Sequence, residues 1–550
     1  MESDQTSPDC SLPHGPGDAG ENDGGREQGK VLAVEPSSGS GVIHPQSADP
    51  EPLPEIFVVM KRLPETVEMA EQVLRDRNTP PEIFHRGGKL VKLTVDPLTG
   101  PALVAINRSD LQCELACAAR WLEATEKGVK PIYPPGLVTH ELMRRSGHWA
   151  PGLRDVTRIP IFGKDWELLL RPGYYAADQI LYHPDHLPLE PVVQHPTEED
   201  VARARCLLCQ VLFGEFPFVA ESHRAAAVAA AILPFVRHRI DGATPLHAID
   251  SSQPGTGKTL LADVICIAAL GKEPPANTEI ANGDDLRKWM TSTVLAGQPV
   301  VLLDNVNARL GGAALAAALT KIDWADRILG TSQLARGTIN CLWLATGNNL
   351  TMTTELARRI VHCRLDAGLM RPFLRRGFAH PDLRSWAKSH RGELIWAILT
   401  LVQNWVARGQ PMSDRVLGSY ENYCRILGGI LQSAGVEGFL QDLQSDQSRG
   451  DEFNIEWMAF IAAWRDRFGA QRVSTGDLDK EVLALNPEML GLTLLTTASE
   501  RGRRVKIGQE LRKRRDAVMG EWRIRVSDTV DRHGCWHYWL DPVDNLGSHR

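Results

Sequence analysis

Short apolar runs bounded by polar or turn-forming residues mark the middle of the chain, and their lengths predict buried strands and helices. Pro245–Asp250, Pro299–Leu303 and Thr338–Ala345 are apolar over the length of a strand. Leu260–Leu270 is apolar over the length of a helix. This alternation of strand-length and helix-length runs predicts an α/β core over residues 240–370.

Composition and polarity divide the rest of the chain. Residues 1–54 are rich in Gly, Pro, Ser, Asp and Glu and nearly free of aromatic residues, which predicts a disordered tail. An amphipathic helix, Glu65–Arg77, is followed by strand-like segments, which predicts an α/β domain of unknown role over residues 55–190. The segments that complete the expected organisation are a helical linker region at 191–239, a helical region at 371–450, a basic domain at 451–543 and a tail at 544–550.

The composition of the 550 residues is that of a globular protein, with 43% hydrophobic and 23% charged residues. Because the net charge is −7, any contact with nucleic acid must depend on a local basic patch. The chain has no run of about 18 apolar residues and no apolar leader, so we expect neither a membrane span nor secretion. The 10 cysteines are scattered, which is typical of reduced thiols, and the expected location is the cytoplasm.

The segment Ser252–Thr259 lies between the first predicted strand and the predicted helix. It fits the phosphate-binding pattern G-x-x-x-x-G-K-[ST], with Ser252 in place of the first glycine. Backbone N–H groups of such a loop and the positive end of the following helix bind phosphate. Lys258 is expected to reach the β- and γ-phosphates, and Thr259 is expected to hold Mg²⁺. The expected nucleotide-binding residues are Gln253, Pro254, Gly255, Thr256, Gly257, Lys258, Thr259 and Leu260.

The second predicted strand ends in Asp304 and Asn305, and an aspartate at this place after a phosphate loop is typical of a Walker B motif. Asp304 is therefore the expected second magnesium ligand beside Thr259. Asn305 stands where an acid would polarise the attacking water. An amide orients water but cannot take its proton, so the identity of the general base stays open. Asp284 and Asp285 are candidates for that role, and the alternative is that they are simply carboxylates at the start of a helix.

The third predicted strand leads into Asn348 and Asn349, and an amide there is suited to hydrogen-bond the γ-phosphate or the attacking water. We favour Asn348 for this sensor, with Asn349 as the second choice. Residues Arg327–Ala345 are typical of a β-hairpin with a turn at Leu334–Gly337. In ring helicases such a hairpin reaches the central pore, so Arg336 near its tip is a candidate contact to a DNA backbone. A plain surface turn is the alternative.

Two adjacent arginines, Arg358 and Arg359, follow the sensor. Adjacent arginines here suit an arginine finger, since a guanidinium offers a planar fork and a permanent positive charge to the γ-phosphate. A structural ion pair is the alternative for one of the two. A finger supplied by a neighbouring subunit implies an oligomer, and we expect a ring.

Residues 501–525 form the one dense basic patch of this acidic chain, which is the expected footprint of phosphate contacts. A helix is predicted at Ile507–Val518, and a solvated helix face is the alternative to DNA binding. The expected DNA-binding residues of this domain are Arg512, Lys513, Arg514 and Arg515.

The basic helix leads into a predicted hairpin of Trp522–Val526 and Cys535–Leu540. Helices followed by such a hairpin are typical of a winged-helix domain, with the helix in a groove and the hairpin on the backbone. Trp536 and Trp539 are interpreted as packing residues, because strand alternation buries every second side chain.

Four segments together resemble an AAA+ module: Gln253–Thr259, Leu302–Asn305, Ala345–Asn349 and Leu356–Arg359. The nearest resemblance is to ATPases of phages, plasmids and integrative elements, related to superfamily 3 and primase-associated helicases, and it extends over about residues 63–440. In that group the ATPase often follows a primase–polymerase domain. No upstream segment here has the clustered carboxylates and histidine that two-metal nucleotidyl transfer requires, so we expect no primase activity.

The resemblance implies an ATP-hydrolysing DNA motor, a replicative helicase or initiator of a mobile genetic element, with ATP and Mg²⁺ as cofactors. It also implies a homo-oligomeric ring, expected to be a hexamer, on single-stranded or forked DNA. The expected fold class is α/β: a P-loop AAA+ core with an α/β N-terminal domain, a helical region and a C-terminal winged-helix-like domain. Two alternatives stay open, namely an ATP-gated DNA-binding regulator that does not translocate, which Asn305 favours, and an AAA+ protein remodeller.

Overall fold

The computed structural model describes most of the chain between residues 52 and 543. The predicted tails lie outside the described residues, apart from residues 52–54. The described ranges are 52–59, 62–96, 100–185, 187–275, 283–306, 310–327, 334–443, 452–483, 499–519, 521–532 and 534–543.

The strands and helices are numbered in chain order. The strands are β1 Glu55–Val58, β2 Ile83–Arg86, β3 Lys89–Asp96, β4 Gly100–Ala105, β5 Arg120–Thr125, β6 Gly128–Pro131, β7 Asp155–Thr157, β8 Ile161–Phe162, β9 Leu168–Leu169, β10 Gly173–Tyr175, β11 Ile180–Tyr182, β12 Leu246–Ser251, β13 Val300–Val306, β14 Asp323–Arg327, β15 Leu334–Thr338, β16 Leu342–Asn348, β17 Ile360–Leu365, β18 Val518–Met519, β19 Trp522–Val526 and β20 Tyr538–Pro542. The α-helices are α1 Leu63–Arg77, α2 Arg108–Ala118, α3 Gly136–Arg144, α4 Ser146–Trp149, α5 Glu198–Cys206, α6 Glu221–Val236, α7 Lys258–Leu270, α8 Gly283–Ala296, α9 Ala313–Ala318, α10 Thr354–Ala357, α11 Leu383–Ser389, α12 Arg391–Ala407, α13 Glu421–Ser433, α14 Glu452–Phe468, α15 Thr475–Leu478 and α16 Glu500–Lys513.

The chain divides into two compact units, of which the first comprises residues up to Arg158 together with Arg171–Pro184. Its strands form three small sheets, in the orders β1-β5-β6, β2-β3-β4 and β10-β11-β7. The apolar faces of α1, α2 and α3 contribute Val67, Leu111 and Val138 to one core with Ile56 of β1.

The second unit contains a four-stranded parallel sheet in the order β13-β16-β12-β17. All residues of β12 are buried, and so is every residue of β16 except the last. This explains the continuous apolar runs in the sequence, because both faces of a parallel sheet are covered. The central strand β12 ends at Ser251, which lies opposite Asn348 of β16 and Leu365 of β17. The loop after β12 therefore leaves the carboxyl edge of the sheet, where open α/β sheets bind ligands.

Helices cover both faces of this sheet. Alternate strand residues, including Ala248, Val301 and Trp343, share a core with Met290 of α8 and Leu315 of α9. Helices α6 and α7 pack on the strands as well, and their own residues lie outside that core. Because side chains alternate along a strand, α6 and α7 cover the opposite face.

The C-terminal part of the second unit combines three helices with a three-stranded antiparallel sheet in the order β18-β19-β20. Trp457 and Trp464 of α14 are fully buried against this sheet. The sheet contributes alternate residues, including Ile524 and Leu540, and α16 contributes Leu511. An additional antiparallel bridge joins Val473, just before α15, to Tyr538.

The predicted hairpin before the sensor differs in its details. Strands β14 and β15 pair antiparallel, and the segment Leu334–Gly337, predicted as a turn, belongs to β15. Gly337 signals close packing here, because a Cβ at this position would lie 2.8 Å from Cγ1 of Val294 on α8. The predicted long strand Thr338–Ala345 is also interrupted, since the carbonyl of Ile339 accepts a hydrogen bond from buried Arg237 (3.2 Å).

The basic helix begins earlier and ends earlier than predicted. Its range is Glu500–Lys513, because Ser499 caps the first turn by accepting a hydrogen bond from the N–H of Gly502 (3.3 Å). Asp516 has a positive φ of 65°, and Val518, predicted as helical, begins β18. Of the four predicted DNA-binding residues, Arg512 and Lys513 therefore lie in the last helical turn, while Arg514 and Arg515 follow it.

Candidate functional site

The loop between β12 and α7 has the backbone that its glycines predict. Gly255 and Gly257 have φ values of +78° and +104°, a region that glycine adopts without steric cost. Thr256 closes the loop by donating from Oγ1 to the carbonyl of Gln253 (2.6 Å). The predicted residues Lys258, Thr259 and Leu260 form the first turn of α7, so their N–H groups stand at the positive end of a 13-residue helix.

Lys258 is buried at the centre of the site, with a relative exposure of 9%. Its Nζ donates to Oγ of Ser251 (2.7 Å) and to Oδ1 of Asn348 (2.6 Å), and it lies 3.4 Å from the carbonyl oxygen of Gln253. Burial lowers the pKa of Lys258 below its ordinary value, and the nearby carboxylate of Asp250 partly opposes that shift. An ammonium group that is desolvated in this way is strongly stabilised by an anionic ligand.

Asp304 lies beside the first turn of α7. Its Oδ1 accepts from Thr259 Oγ1 (3.4 Å) and from Thr346 Oγ1 (2.5 Å). Oγ1 of Thr346 in turn accepts from the backbone N–H of Asn305 (2.8 Å). Asn305 is exposed and has a φ of 51°, which asparagine tolerates better than most residues. One buried threonine hydroxyl therefore fixes both the carboxylate and the backbone of the predicted Walker B segment.

The two sensor candidates have different positions. Asn348 is the last residue of β16, and its side chain contacts Lys258. Asn349 has a φ of 46° and uses its backbone N–H to bond the carbonyl of Ser251 (3.0 Å). The structure thus brings the side chain of Asn348 into the site, whereas the described contact of Asn349 belongs to the turn that follows the strand.

The two acidic alternatives for a general base lie at the start of α8. The side chain of Asp284 is outside the described residues. The carboxylate of Asp285 is exposed and pairs with Lys288 one turn later (3.1 Å). This pairing fits the interpretation of Asp285 as a carboxylate of a helix N-terminus.

The two adjacent arginines just before β17 differ in burial. Arg359 is 8% exposed, donates from Nε to Thr320 Oγ1 (3.0 Å) and also contacts Glu355. Arg358 is exposed and lines a cavity of about 950 Å³ together with Arg415. Arg359 therefore has a structural environment, and of the two arginines only Arg358 lines this surface cavity.

The remaining DNA-contact candidate of the core, Arg336, is exposed in the middle of β15, opposite Ala325. It lies within the paired part of the hairpin, and residues 328–333 between the two strands are outside the described residues.

The four predicted DNA-binding cations near the end of α16 have partners inside the domain. Lys513 and Arg514 both pair with Glu510, and Arg515 pairs with Asp528. Arg512 lies over the ring of Trp536, with 5.7 Å from the guanidinium carbon to the ring centroid, and it donates to Tyr538 Oη (3.3 Å). The patch is thus less available to phosphates than its sequence indicates.

Two polar residues of the site were not predicted to act there. Ser251 and Thr346 are almost fully buried, and each hydroxyl bonds a predicted site residue. The sequence held a signal for both, since each is a hydroxyl residue near the carboxyl end of a predicted strand.

The described residues contain no group of three or more His, Cys, Asp or Glu side chains suited to hold a metal ion. Thr259 and Asp304 offer two oxygen ligands close together, which fits Mg²⁺, because this ion takes one or two protein ligands and completes its shell with phosphate and water. Within the described ranges, no helix has the length and apolarity needed to cross a membrane.

No protein-family model and no curated protein sequence matches the chain. Among solved structures, the chain is similar to the C-terminal region of NrS-1, at 11% identity and a TM-score of 0.38 over 86% of this chain and 99% of that one. It is similar to the SCCmec type IV Cch helicase, at 10% identity and a TM-score of 0.35 over 83% and 91%. Similarity to the JCV helicase is 15% at a TM-score of 0.18 over 46% and 73%. These TM-scores are low, so the chain's own residues carry the functional inference.

Proposed function

We propose that the chain is an ATP-hydrolysing, ring-forming DNA motor of the superfamily 3-like AAA+ type, acting as a replicative helicase or initiator of a mobile genetic element. The observation that carries the proposal is the position of the Lys258 ammonium. It is buried at the carboxyl edge of a parallel sheet, beside a glycine-rich loop, a helix N-terminus and the amide of Asn348. A buried cation next to backbone N–H groups suits a polyphosphate.

In this proposal the loop Gln253–Gly257 and the first turn of α7 hold the phosphates of ATP. Thr259 and Asp304 hold Mg²⁺, which when bound neutralises charge on the phosphate oxygens. Thr346 keeps the carboxylate of Asp304 directed toward Thr259. Asn305 and Asn348 orient the attacking water, and neither amide can take its proton.

The arginine finger of this proposal is Arg358, acting on a neighbouring subunit. Strands β12 and β17 are parallel, with Leu246 opposite Ile360, and Arg358 precedes Ile360 by two residues. Arg358 and the loop after β12 therefore lie at opposite edges of the sheet, separated by more than the roughly 16 Å that β12 spans from Leu246 to Ser251 at about 3.3 Å per residue. That separation exceeds the reach of an arginine side chain, so an arginine finger at Arg358 would act on the site of another copy. This supports a ring, for which we propose a hexamer.

The nucleic-acid contacts of the proposal involve the β14–β15 hairpin, which carries exposed Arg336, and the C-terminal domain. The three helices, the β18–β20 sheet and the bridge from Val473 to Tyr538 support a winged-helix assignment for that domain. Hydrolysis in the ring would move the hairpin along single-stranded or forked DNA.

The first alternative is an ATP-gated DNA-binding regulator without translocation, and the amide at Asn305 favours it. The second is an AAA+ protein remodeller, for which the described residues offer no specific support. The three candidates differ in whether DNA stimulates hydrolysis and whether a fork is unwound.

The test is steady-state ATP hydrolysis with and without single-stranded DNA, for the wild type beside Lys258→Ala. Lys272→Ala is the matched control, since Lys272 is exposed just past the other end of α7. DNA-stimulated turnover that Lys258→Ala alone abolishes supports the motor. Turnover that ignores DNA favours the remodeller, and ATP binding without turnover favours the regulator.

A further inference from the structure

The outer face of the β18–β20 sheet carries an aromatic and basic surface. Ile524, Leu540 and Tyr538 point into the domain core, so the residues between them point to the opposite face. Trp539 is one of these outward residues, is partly exposed and lies directly across the strand pair from Arg525. Trp522 and Trp536, in contrast, pack against the core. Of the two tryptophans interpreted as packing residues, Trp536 therefore packs against the described core, whereas Trp539 lies outside it.

Three arginines lie on this face with Trp539. The guanidinium of exposed Arg472 lies over it, 4.4 Å from the ring centroid. Arg525 pairs with Asp541 through Nε (2.7 Å) and with Asp516. Arg523 lies on the same face, and its Nε is buried without a hydrogen-bond partner among the described residues. In the described part of the chain, neither Arg472 nor Arg523 has an acidic partner within ion-pair distance.

We infer that this outer sheet face, defined by Trp539, Arg472 and Arg523, binds single-stranded nucleic acid. A base displaces the Arg472 guanidinium from the ring of Trp539 and stacks on the indole in its place, and the adjoining phosphates meet Arg472 and Arg523. The inference rests on the proposed function for its partner and relocates the contact from the end of α16. Proteins that bind single-stranded nucleic acid without sequence preference stack bases on aromatic side chains within a basic surface.

The charges of the domain favour this face over the end of α16. At the helix end Lys513, Arg514 and Arg515 are paired with carboxylates, which a phosphate would have to displace. On the outer face neither Arg472 nor Arg523 has a carboxylate within ion-pair distance among the described residues, since Asp541, which lies opposite Arg523, pairs with Arg525. The ring contact of Arg472 is with partly exposed Trp539, and an incoming base replaces it. A duplex offers no unstacked base to an indole on a flat sheet, so the surface discriminates in favour of a single strand.

The experiment uses the full chain and a labelled oligothymidylate, with a duplex of equal length as the second probe. Trp539→Ala and Trp539→Phe test stacking, Arg472→Gln tests the cation, and Lys513→Gln is a charge-matched control at the end of α16. We expect Trp539→Ala to weaken oligothymidylate binding roughly tenfold or more, as for the loss of one stacked base, while Trp539→Phe retains most of the affinity. Arg472→Gln should lower both the affinity and its salt dependence, and Lys513→Gln should change neither.

Thermal unfolding of each variant shows whether a loss of binding reflects a lost contact or a lost fold. If Trp539→Ala unfolds, Trp539→Phe still tests whether an aromatic ring at this position is sufficient for binding. Wild-type affinity in Trp539→Ala, or equal losses for Lys513→Gln and Arg472→Gln, would overturn the inference. ATP turnover without DNA should be unchanged in all these variants. ATP turnover that single-stranded DNA stimulates equally in the wild type and in Trp539→Ala refutes this surface alone, whereas Trp539-dependent binding without any hydrolysis refutes the proposed motor alone.

Discussion

The Nζ of Lys258 lies 2.6 Å from Oδ1 of Asn348, so the first residue of α7 is hydrogen-bonded to the last residue of β16. The pairing of Ser251 with Asn348 in the β12–β16 register places the amide beside the end of the loop. In the proposed function, the ammonium group that binds phosphate is thus held by the amide that senses the same phosphate. The amide is neutral, so the lysine can exchange it for an anion at low cost.

We predict that Asn348→Asp weakens ATP binding more than Asn348→Ala does. The added carboxylate would form an ion pair with Lys258 in a partly desolvated place and would repel the γ-phosphate. The expected result is at least about a tenfold higher Kd for ATP in the Asp variant than in the Ala variant, with a smaller difference for ADP. Titration with fluorescent ATP and ADP analogues measures both, and equal affinities in the two variants would contradict the prediction.

Thr346 yields a second prediction, because its hydroxyl bonds both Asp304 and the N–H of Asn305. Thr346→Val keeps the shape of the side chain but leaves the half-buried carboxylate of Asp304 and the backbone N–H of Asn305 without this partner. We expect a loss of about 2 kcal/mol in the free energy of unfolding and weaker Mg²⁺-dependent nucleotide binding. Thr346→Ser keeps the hydroxyl and should resemble the wild type. Denaturant unfolding and magnesium titration of nucleotide binding check this pair, and equal behaviour of the Val and Ser variants would refute it.

The role of Thr346 shows where sequence reasoning ends for this site. The strand–loop–helix around Lys258 is predictable because its glycines, lysine and apolar flanks are contiguous. The contacts of Thr346 and Ser251 depend instead on β16 lying between β13 and β12, an order that no local pattern encodes.

The charge pattern of the sequence has limited predictive value for the same reason, because the partner of a charged residue can lie far away along the chain. In the basic segment 501–525 the cations outnumber the acids, yet Asp479 and Asp528 reach it from outside that window. Strand alternation predicted that some tryptophans of the last hairpin are buried, but not that Trp539 faces outward while Trp522 packs inward. That outcome depends on the register of β19 against β20 and on the place of α14.

A third prediction separates the two arginines before β17. Arg358→Ala should abolish most ATP turnover without changing the free energy of unfolding, since Arg358 is exposed beside a cavity. Arg359→Ala should lower the free energy of unfolding by about 2 kcal/mol, because buried hydrogen bonds from a charged group to Thr320 and Glu355 are lost. Turnover assays and denaturant unfolding on both variants give the comparison.

Mixing inactive variants tests whether Arg358 acts on a neighbour. Lys258→Ala keeps Arg358, and Arg358→Ala keeps the phosphate loop, so a mixed ring contains some complete interfaces. Turnover that reappears on mixing supports action between subunits. Mixing that restores nothing, in rings shown to exchange subunits, would refute it.

The last prediction concerns pH and the buried histidine of the central strand. His247 of β12 is fully buried, with Nε2 2.8 Å from Oη of Tyr423 on α13, and burial lowers its pKa from 6.5 to about 4. Below pH 6.5 the unfolded chain therefore binds a proton at His247 that the folded chain does not bind. The free energy of unfolding should fall as the pH falls from 6.5 toward 4, by about 3 kcal/mol in all, and stay constant above that window.

His362 of β17 adds a second contribution of the same sign, since burial and the neighbouring His223 lower its pKa to about 4 as well. His247→Gln should flatten the pH dependence in part, and combining it with His362→Gln should remove most of it, because glutamine does not titrate. Denaturant unfolding at a series of pH values between 4 and 8 measures the slopes. An unchanged slope in the double variant would show that other groups account for the acid sensitivity of this sheet.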